Sequence, residues 1–193
     1  DQYLSNSFIL YKPKDIVSGD FYWIEHAHDV SMFSAVDCTG HGVPGAFMSI
    51  VGYNGLHRTV NEFHLIHPAE IMDKLNELVK ETLQSSGSEV KDGMDMALCM
   101  LDRKSGELEY AGANNPLYVV RKRGIPLTEK DEIIEPTLEY KDFLLYEIKA
   151  TKQPIGVHVD YHPFENHRIK LEKGDIIYIF SDGFPDQFGG PRG

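Results

Sequence analysis

Apolar runs about as long as a β-strand recur along the chain, and turns rich in Gly, Pro, Asn or charged residues separate them. In the first half, such runs predict strands over 7–11, 21–25 and 31–36. The second half predicts six more, over 96–101, 108–110, 117–120, 143–148, 167–171 and 176–180. The short connections between most of them favour antiparallel pairing. The acidic stretch 128–142 lacks such a pattern and is predicted to be a long surface excursion.

Two segments with helical periodicity lie next to each other between these groups of strands. Residues 44–62 begin with Pro44, which suits the first turn of a helix, and carry apolar side chains on several faces, so this helix is predicted to be largely buried. Gly52 and Gly55 would let it approach another element closely. Residues 68–84 are amphipathic, so one face is expected to pack on a sheet. Consecutive helices among many strands predict the α+β class, with antiparallel sheets and helices on their outer faces.

The run 31–36 ends at Asp37, a residue that a protein core does not accept without a partner. Gly40, Gly42 and Gly45 follow, so the backbone can turn tightly and bring main-chain oxygens and amides close to a group bound by Asp37. A bound ligand is one interpretation. An ordinary strand-to-helix turn, with Asp37 exposed or capping the helix, is the other, and both fit this stretch equally well.

Asp20 lies at the start of a strand and not at its end. If residues 21–25 pair with 31–36 through the polar turn 26–29, Asp20 and Asp37 reach the same rim of the sheet. Two adjacent carboxylates repel each other, and a shared proton or a bound cation relieves the repulsion. A cation is the better interpretation because the nearby glycines leave room for main-chain oxygens and water. The sequence Ser-Gly-Asp by itself also fits a common turn.

Asp182 repeats this arrangement at the far end of the chain. It follows the apolar run 176–180 and precedes Gly183, so a third carboxylate lies at a strand end beside a glycine. Three such aspartates are hard to explain as turns alone. Carboxylate and main-chain oxygens suit hard divalent cations, Mg²⁺ or Mn²⁺, better than they suit zinc.

The charge balance excludes one large class of partner. Thirty acidic residues against 19 basic ones give a net charge of −11, which would repel a phosphate backbone unless the basic groups were clustered. The basic groups at 12–14 and 121–123 are too small for that, so no nucleic-acid partner is expected. No apolar run approaches the roughly 20 residues that span a bilayer, so no membrane contact is expected either.

Length and cysteine content narrow the picture further. A chain of 193 residues fits one large domain, and residues 1–193 are predicted to form one. Cys38 and Cys99 make no disulfide framework, which fits a reducing compartment and predicts the cytoplasm. The chain begins at Asp1 and stops at Gly-Gly-Pro-Arg-Gly without a closing element, so we expect a piece of a longer protein.

Six short motifs resemble, in their order and spacing, the motif series of bacterial PPM-type serine/threonine phosphatases. The resemblance is to the branch similar to stage II sporulation protein E and the stress-response sigma-factor regulators. The motifs are Ser18-Gly19-Asp20-Phe21, Asp37-x-Thr39-Gly40-His41-Gly42-Val43-Pro44-Gly45-Ala46, Asp92-Gly93-Met94-Asp95, Ala111-Gly112-Ala113-Asn114-Asn115-Pro116, Pro154-Ile155-Gly156 and Ser181-Asp182-Gly183-Phe184. Each motif is weak alone, whereas the ordered set covers nearly the whole chain and is specific.

The resemblance implies a β-sandwich of two antiparallel sheets flanked by helices, in α-β-β-α layers, with two Mn²⁺ or Mg²⁺ ions at one edge. By motif position, Asp37 would bridge the two metals, Asp20 and Asp182 would each bind one, and the main-chain carbonyl of Cys38 would add a ligand. Two such ions can activate a water and neutralise a phosphoserine or phosphothreonine ester as it is displaced in line. The implied function is a metal-dependent protein serine/threonine phosphatase.

The family context also implies partners. The substrate would be a phosphorylated regulatory protein of the anti-anti-sigma type, an upstream sensor domain would control the enzyme, and a homodimer is compatible with the sequence. The family pattern continues to another metal-binding aspartate that this chain does not reach. Asp186 lies too close to Asp182 to replace it. We therefore expect this piece to bind metal weakly.

Several other polar residues have two interpretations each. His41 is a candidate general acid for the leaving serine and equally a candidate turn cap. Asp95 either supports the metal site or caps a turn. The histidine pairs 26/28 and 64/67 lack a third and fourth ligand, so surface histidines are favoured over zinc ligands.

The Cys38 side chain and one basic run also have two interpretations each. Cys38 has the chemistry of a nucleophile, but a small buried thiol is the favoured interpretation. The run Arg121-Lys122-Arg123 could dock a phosphoprotein, but a solvated strand end is favoured.

Two functions from other classes stay open at this point. One is a two-metal hydrolase of small phosphate esters or nucleotides, which a comparison of phosphopeptides with small esters at equal Mn²⁺ would distinguish. The other is a non-catalytic regulatory module that keeps the fold and binds a partner. The three aspartates argue against the second function, while the missing terminal aspartate leaves it open.

Overall fold

The structure, a computed structural model, describes residues 2–13, 16–40, 42–85, 92–156 and 160–183. These residues form two helices and twelve strands. In chain order they are β1 (Phe21–Ala27), β2 (Val30–Cys38), α1 (Gly42–Asn61), α2 (Pro68–Ser85), β3 (Gly93–Asp102), β4 (Glu107–Ala113), β5 (Leu117–Lys122), β6 (Thr128–Glu129), β7 (Glu132–Ile133), β8 (Leu138–Tyr140), β9 (Phe143–Ile148), β10 (Ile155–Gly156), β11 (His167–Lys170) and β12 (Ile176–Tyr178).

β1 and β2 form the antiparallel hairpin that the sequence predicts. His28 and Asp29 alone separate the two strands, and His28 has a φ of 52°, a positive value typical of tight hairpin turns. Successive side chains point to opposite faces of a strand, so Trp23, Met32 and Val36 share one face and are buried there. The hairpin register is therefore set by which face is apolar.

The described strands form two main antiparallel sheets. The six-stranded sheet has the order β1-β2-β3-β4-β11, with β10 also paired to β3. The four-stranded sheet has the order β12-β5-β9-β8, and β6 and β7 form a separate small ribbon. Ala97 and Cys99 of β3 pack against Leu117, Val119 and Tyr146 of the other sheet. The two sheets thus enclose one core, which confirms the predicted α+β sandwich.

Both helices pack on the outer face of the six-stranded sheet. α2 buries Ile71, Met72, Leu75 and Val79, the face that the periodicity predicts. Fully burying one such side chain stabilises the fold by roughly 1.5–3 kcal/mol, so packing holds this helix in place. Among the described residues, no helix is long and apolar enough to cross a membrane.

The predicted second helical layer does not lie within the described residues. The outer face of the four-stranded sheet carries no described helix, and it exposes Phe143, Ile176 and Tyr178. These side chains alternate with the buried ones along their strands, as a sheet with two apolar faces requires.

α1 is less buried than the sequence predicts. Its glycines do allow close packing, since a Cβ at Gly55 would lie 2.4 Å from Cδ1 of Leu75 in α2. The prediction of a largely buried helix is nevertheless wrong, because only one side of α1 packs on α2 and the sheet. The exposed apolar face of α1 consists of Val43, Phe47, Ile50 and Tyr53.

The strand predicted over residues 7–11 is also wrong. These residues form no strand, and Phe8 and Leu10 are 77% and 86% exposed. An apolar run becomes a strand only when another strand offers it a free edge, and local sequence does not reveal that edge. The excursion predicted over 128–142 contains more structure than expected, because β6, β7 and β8 lie within it.

Arg121 is buried, so the prediction of a solvated strand end is wrong for this residue. Its guanidinium donates hydrogen bonds to both carboxylate oxygens of Asp175, at 2.6 to 3.1 Å. It also donates to the main-chain oxygens of Pro126 and Lys170, both at 2.9 Å. Alternation along β5 turns Arg121 inward, and an inward charge needs this full set of partners.

Candidate active site

The structure brings Asp20, Asp37 and Asp182 to one rim of the sandwich. Asp37 is the second-to-last residue of β2. Asp20 directly precedes β1, and the hairpin register carries it to the same end of the sheet. Asp182 follows β12 of the other sheet, and the Asp37 carboxyl makes hydrogen bonds with the carboxyls of both Asp20 and Asp182. Three side chains far apart in sequence therefore meet where the two sheets end together.

This grouping has a strong electrostatic effect on Asp37. Burial, followed by the charge of Asp20 and the hydrogen bond and charge of Asp182, raises the pKa of Asp37 to about 8. A half-buried group of like charges is unfavourable unless a proton or a cation neutralises part of it. A proton or a cation bound at the rim would therefore stabilise this group of carboxyls.

Main-chain oxygens surround the same point. A Cβ at Gly19 would lie 3.0 Å from the carbonyl oxygens of Cys38 and Gly40, and a Cβ at Gly45 only 2.5 Å from the Gly40 oxygen. Gly40 itself has a φ of +86°, which favours glycine. The loop after β2 can therefore fold back on itself because these positions lack side chains. His41, the candidate general acid, lies outside the described residues.

We expect Gly45→Ala to disturb this loop although it lies in a helix. Alanine normally stabilises a helix interior relative to glycine by about 1 kcal/mol, but here its Cβ would collide with the Gly40 carbonyl. We predict at least a tenfold loss of Mn²⁺ affinity, measured by calorimetry. Gly55→Ala in the same helix is the matched control, because its Cβ meets only the flexible end of Leu75. Equal affinities in the two variants would contradict the prediction.

The donor atoms at the rim suit a hard divalent cation. They are carboxylate and main-chain oxygens, the ligands that Mg²⁺ and Mn²⁺ prefer. Within the ranges described, no group of three or more His, Cys, Asp or Glu side chains is already spaced to hold a metal ion. As placed, the Asp37 carboxyl is hydrogen-bonded to the carboxyls of Asp20 and Asp182. A cation fits this arrangement because it would replace the shared protons and separate the oxygens.

Cys38 contributes its backbone to the rim while its side chain points into the core. The thiol is buried, and burial raises its pKa to about 12. A thiol in this state is not a nucleophile near neutral pH. The prediction of a small buried thiol is confirmed.

Asp95 lies within β3, directly opposite Asp37, and so in a strand and not in a turn. Burial raises the pKa of Asp95, a hydrogen bond from Asn114 lowers it, and the charge of Asp182 raises it. The Asn114 amide donates that bond at 2.7 Å, from a backbone position with a φ of 58°. The sequence motif contains Asn114 but does not reveal this contact.

Further side chains, to which the sequence analysis assigns no role of their own, brace the same rim. The Ser181 hydroxyl donates to the Asp20 carboxylate at 3.4 Å, and the Tyr11 hydroxyl donates to the Asp20 main-chain oxygen at 3.0 Å. The Thr39 hydroxyl accepts a hydrogen bond from the Gly93 amide at 3.0 Å. Tyr11 thus tethers the N-terminal segment to the site even though that segment forms no strand.

Two of the histidines predicted to lie on the surface, His26 and His67, contact other side chains. His67 Nδ1 lies 2.8 Å from Oε2 of Glu109, a buried carboxylate that also accepts from Asn166. His26 Nδ1 lies 2.9 Å from the Ser31 hydroxyl. His67 therefore anchors the start of α2 to the sheet, and among the described residues no histidine belongs to a metal-binding group.

The comparisons with known proteins agree with the geometry of this site. The family model described as Stage II sporulation protein E (SpoIIE) matches residues 28–192. The chain is similar to the phosphoserine phosphatase RsbU of Bacillus subtilis (strain 168), with 27% identity over 178 residues. That match covers 89% of this chain and 44% of RsbU, so the chain spans less than half the length of this relative.

Solved structures share the fold. The SiaA-PP2C domain of Pseudomonas aeruginosa is 29% identical, with a TM-score of 0.76 and coverage of 100% of this chain and 69% of that one. The phosphatase domain of the cell fate determinant SpoIIE from Bacillus subtilis, solved with a fragment of its regulatory domain, has a TM-score of 0.64. At 17% identity, covering 91% of this chain and 44% of that one, this second likeness concerns the fold alone.

Proposed function

Since this chain belongs to the stage II sporulation protein E family of bacterial PPM-type phosphatases, we propose that it is a metal-dependent protein serine/threonine phosphatase. It hydrolyses phosphoserine or phosphothreonine in a regulatory protein. The observation that carries the proposal is the meeting of Asp20, Asp37 and Asp182 at a glycine-lined rim. An arrangement of buried like charges is costly for stability and is retained where it binds a cation.

Each acidic residue has a proposed role. Asp37, Asp20, Asp182 and the main-chain oxygen of Cys38 would hold the Mn²⁺ or Mg²⁺ ions, with Asp37 shared between two ions and Asp20 and Asp182 each serving one. When bound, the ions supply positive charge that activates water and neutralises the phosphate.

The chain's own part in the reaction is to hold these ligands in place. The hairpin positions Asp20 and Asp37 on one sheet, and Asp182 approaches from the other sheet. Asn114 restrains Asp95 behind Asp37. The Cys38 thiol is buried and protonated, so it would not serve as a nucleophile. In the proposed reaction the nucleophile would be a water, and no covalent phosphoenzyme would be needed.

Phosphate release tests this function against its alternatives. The full-length protein is assayed at equal Mn²⁺ with a phosphoserine protein and with p-nitrophenyl phosphate, each with and without EDTA. We expect release that EDTA abolishes and that favours the phosphoserine protein. Preference for the small ester would favour a hydrolase of small phosphate esters. No release from either substrate, together with binding of the phosphoserine protein, would favour a non-catalytic regulatory module.

The proposal also covers the partners of this protein and its location in the cell. The substrate is a phosphorylated regulatory protein of the anti-anti-sigma type, and an upstream sensor domain in the longer protein controls the enzyme, with a homodimer as one compatible assembly. The similarity to the phosphoserine phosphatase RsbU supports the substrate class. Cys38 and Cys99 are both free and buried, which supports work in the reducing cytoplasm.

We also propose that residues 1–193 form a single domain of this family whose remaining elements lie outside the described residues. The apolar outer face of the four-stranded sheet supports this, because such a face is stable only when another layer covers it. A further aspartate from those elements would complete the metal site.

A further inference from the structure

A shallow cleft lies between α1 and the start of β1. Its volume is about 230 Å³, and its lining residues are Phe21, Ser49, Ile50, Tyr53 and Asn54. The ring centroids of Phe21 and Tyr53, both of which line this cleft, lie 6.1 Å apart. The lining carries no formal charge, so the cleft suits a neutral, largely apolar group.

Both walls of the cleft are continuous with the candidate active site. Phe21 directly follows Asp20, and α1 begins at Gly42, just after the glycine loop that follows Asp37. Ile50 lies eight residues beyond Gly42, which places it about 12 Å further along the helix axis. A polypeptide chain that enters the site along α1 therefore passes over the cleft.

The surface between the site and the cleft is apolar as well. Val43 and Phe47 are 62% and 65% exposed, and they lie between the glycine loop and Ile50 on the exposed apolar face of α1. Single exposed apolar side chains are ordinary on protein surfaces, whereas a continuous stripe of them marks a contact surface. This stripe leads from the three carboxyls to the cleft.

We propose that the cleft binds an apolar side chain of the phosphoprotein substrate, three to five residues away from the phosphorylated serine. This inference rests on the proposed phosphatase function. An extended chain covers about 3.3–3.6 Å per residue, so about four residues, the middle of the proposed range, span the roughly 12 Å from Gly42, where α1 begins, to Ile50. The chain has a net charge of −11, which as a whole repels an acidic phosphoprotein, whereas the residues of the stripe and of the cleft carry no formal charge.

Binding of designed peptides tests the inference independently of turnover. Two fluorescein-labelled phosphoserine peptides of equal length are compared by anisotropy in the presence of Mn²⁺. In one of them, leucine stands four residues from the phosphoserine, and in the other, serine replaces that leucine. The wild-type protein is expected to bind the leucine peptide at least fivefold more tightly. Moving the leucine to the position next to the phosphoserine should remove the advantage.

Two variants assign the preference to the cleft. Ile50→Gln is expected to bind the leucine and serine peptides equally. Ile133→Gln is the matched control, because Ile133 is similarly exposed, at 63% against 55% for Ile50, but lies in β7 and does not line the cleft. This variant should keep the full preference. Equal binding of both peptides by the wild type, or a preference that survives Ile50→Gln, would overturn the inference and point to another occupant of the cleft. Failure of the phosphatase proposal would instead appear as absent phosphate release in the turnover assay, whatever the peptide preference.

Discussion

Replacing Asp37 by asparagine is expected to lower Mn²⁺-dependent phosphate release by about a thousandfold or more. Asparagine has nearly the same shape as aspartate but removes the negative charge that would attract both ions. The variant should still fold. In the metal-free protein, Asp37 faces the carboxyls of Asp20 and Asp182, so the neutral amide relieves repulsion there. The melting temperature without metal is therefore expected to stay equal or to rise.

The same variant should lose the stabilisation that metal gives to the wild type. A ligand that binds only the folded state raises the melting temperature by an amount that grows with the logarithm of its concentration divided by its Kd. Mn²⁺ should therefore shift the wild-type transition and leave that of Asp37→Asn unmoved. Asp29→Asn is the matched control, because Asp29 lies in the turn at the other end of the same hairpin and is exposed. Turnover within threefold of the wild type in Asp37→Asn would remove the proposed mechanism.

The features of this site that sequence could predict are those that local pattern determines. The β1–β2 hairpin follows from two alternating apolar strands around a short polar turn, and it places Asp20 beside Asp37 by register alone. Glycines next to Asp20 and Asp37 indicated close main-chain approach, and the cradle around Gly19 and Gly45 has that geometry. Asp182 was recognised by the same pattern of an apolar strand that ends in a carboxylate.

Features that depend on distant elements were beyond the reach of local pattern. Residues 7–11 have strand-like composition but no neighbouring edge to pair with among the described strands. α1 has apolar residues on several faces, and periodicity could not show that one face stays exposed and leads to the active site. Asn114 contacts Asp95 only because the turn after β4 returns to the rim. In each case the deciding partner is far away in sequence.

Arg121 is the clearest example of a residue whose partner is far away in sequence. It lies in a basic run of the chain, yet the structure buries it against Asp175. Only 4% of the Arg121 side chain and 3% of the Asp175 side chain are exposed. We expect Asp175→Ala to destabilise the protein by about 3–5 kcal/mol, because it leaves the guanidinium buried and uncompensated. For a chain of this size, the melting temperature should fall by about 10 °C.

The exposed ion pair Arg123–Glu139 is the control, because Arg123 lies only two residues from Arg121 in the chain. Both of its side chains are more than half exposed, so Glu139→Ala should move the melting temperature by only about 1 °C, as removal of a solvent-screened pair does. The double variant Arg121→Leu/Asp175→Leu should recover much of the loss, since two apolar side chains remove the uncompensated charge. If Asp175→Ala melts within 2 °C of the wild type, as Glu139→Ala is expected to, the pair does not hold β5 to the segment before β12. The four-stranded sheet would then rely on its apolar core alone to present Asp182 at the rim.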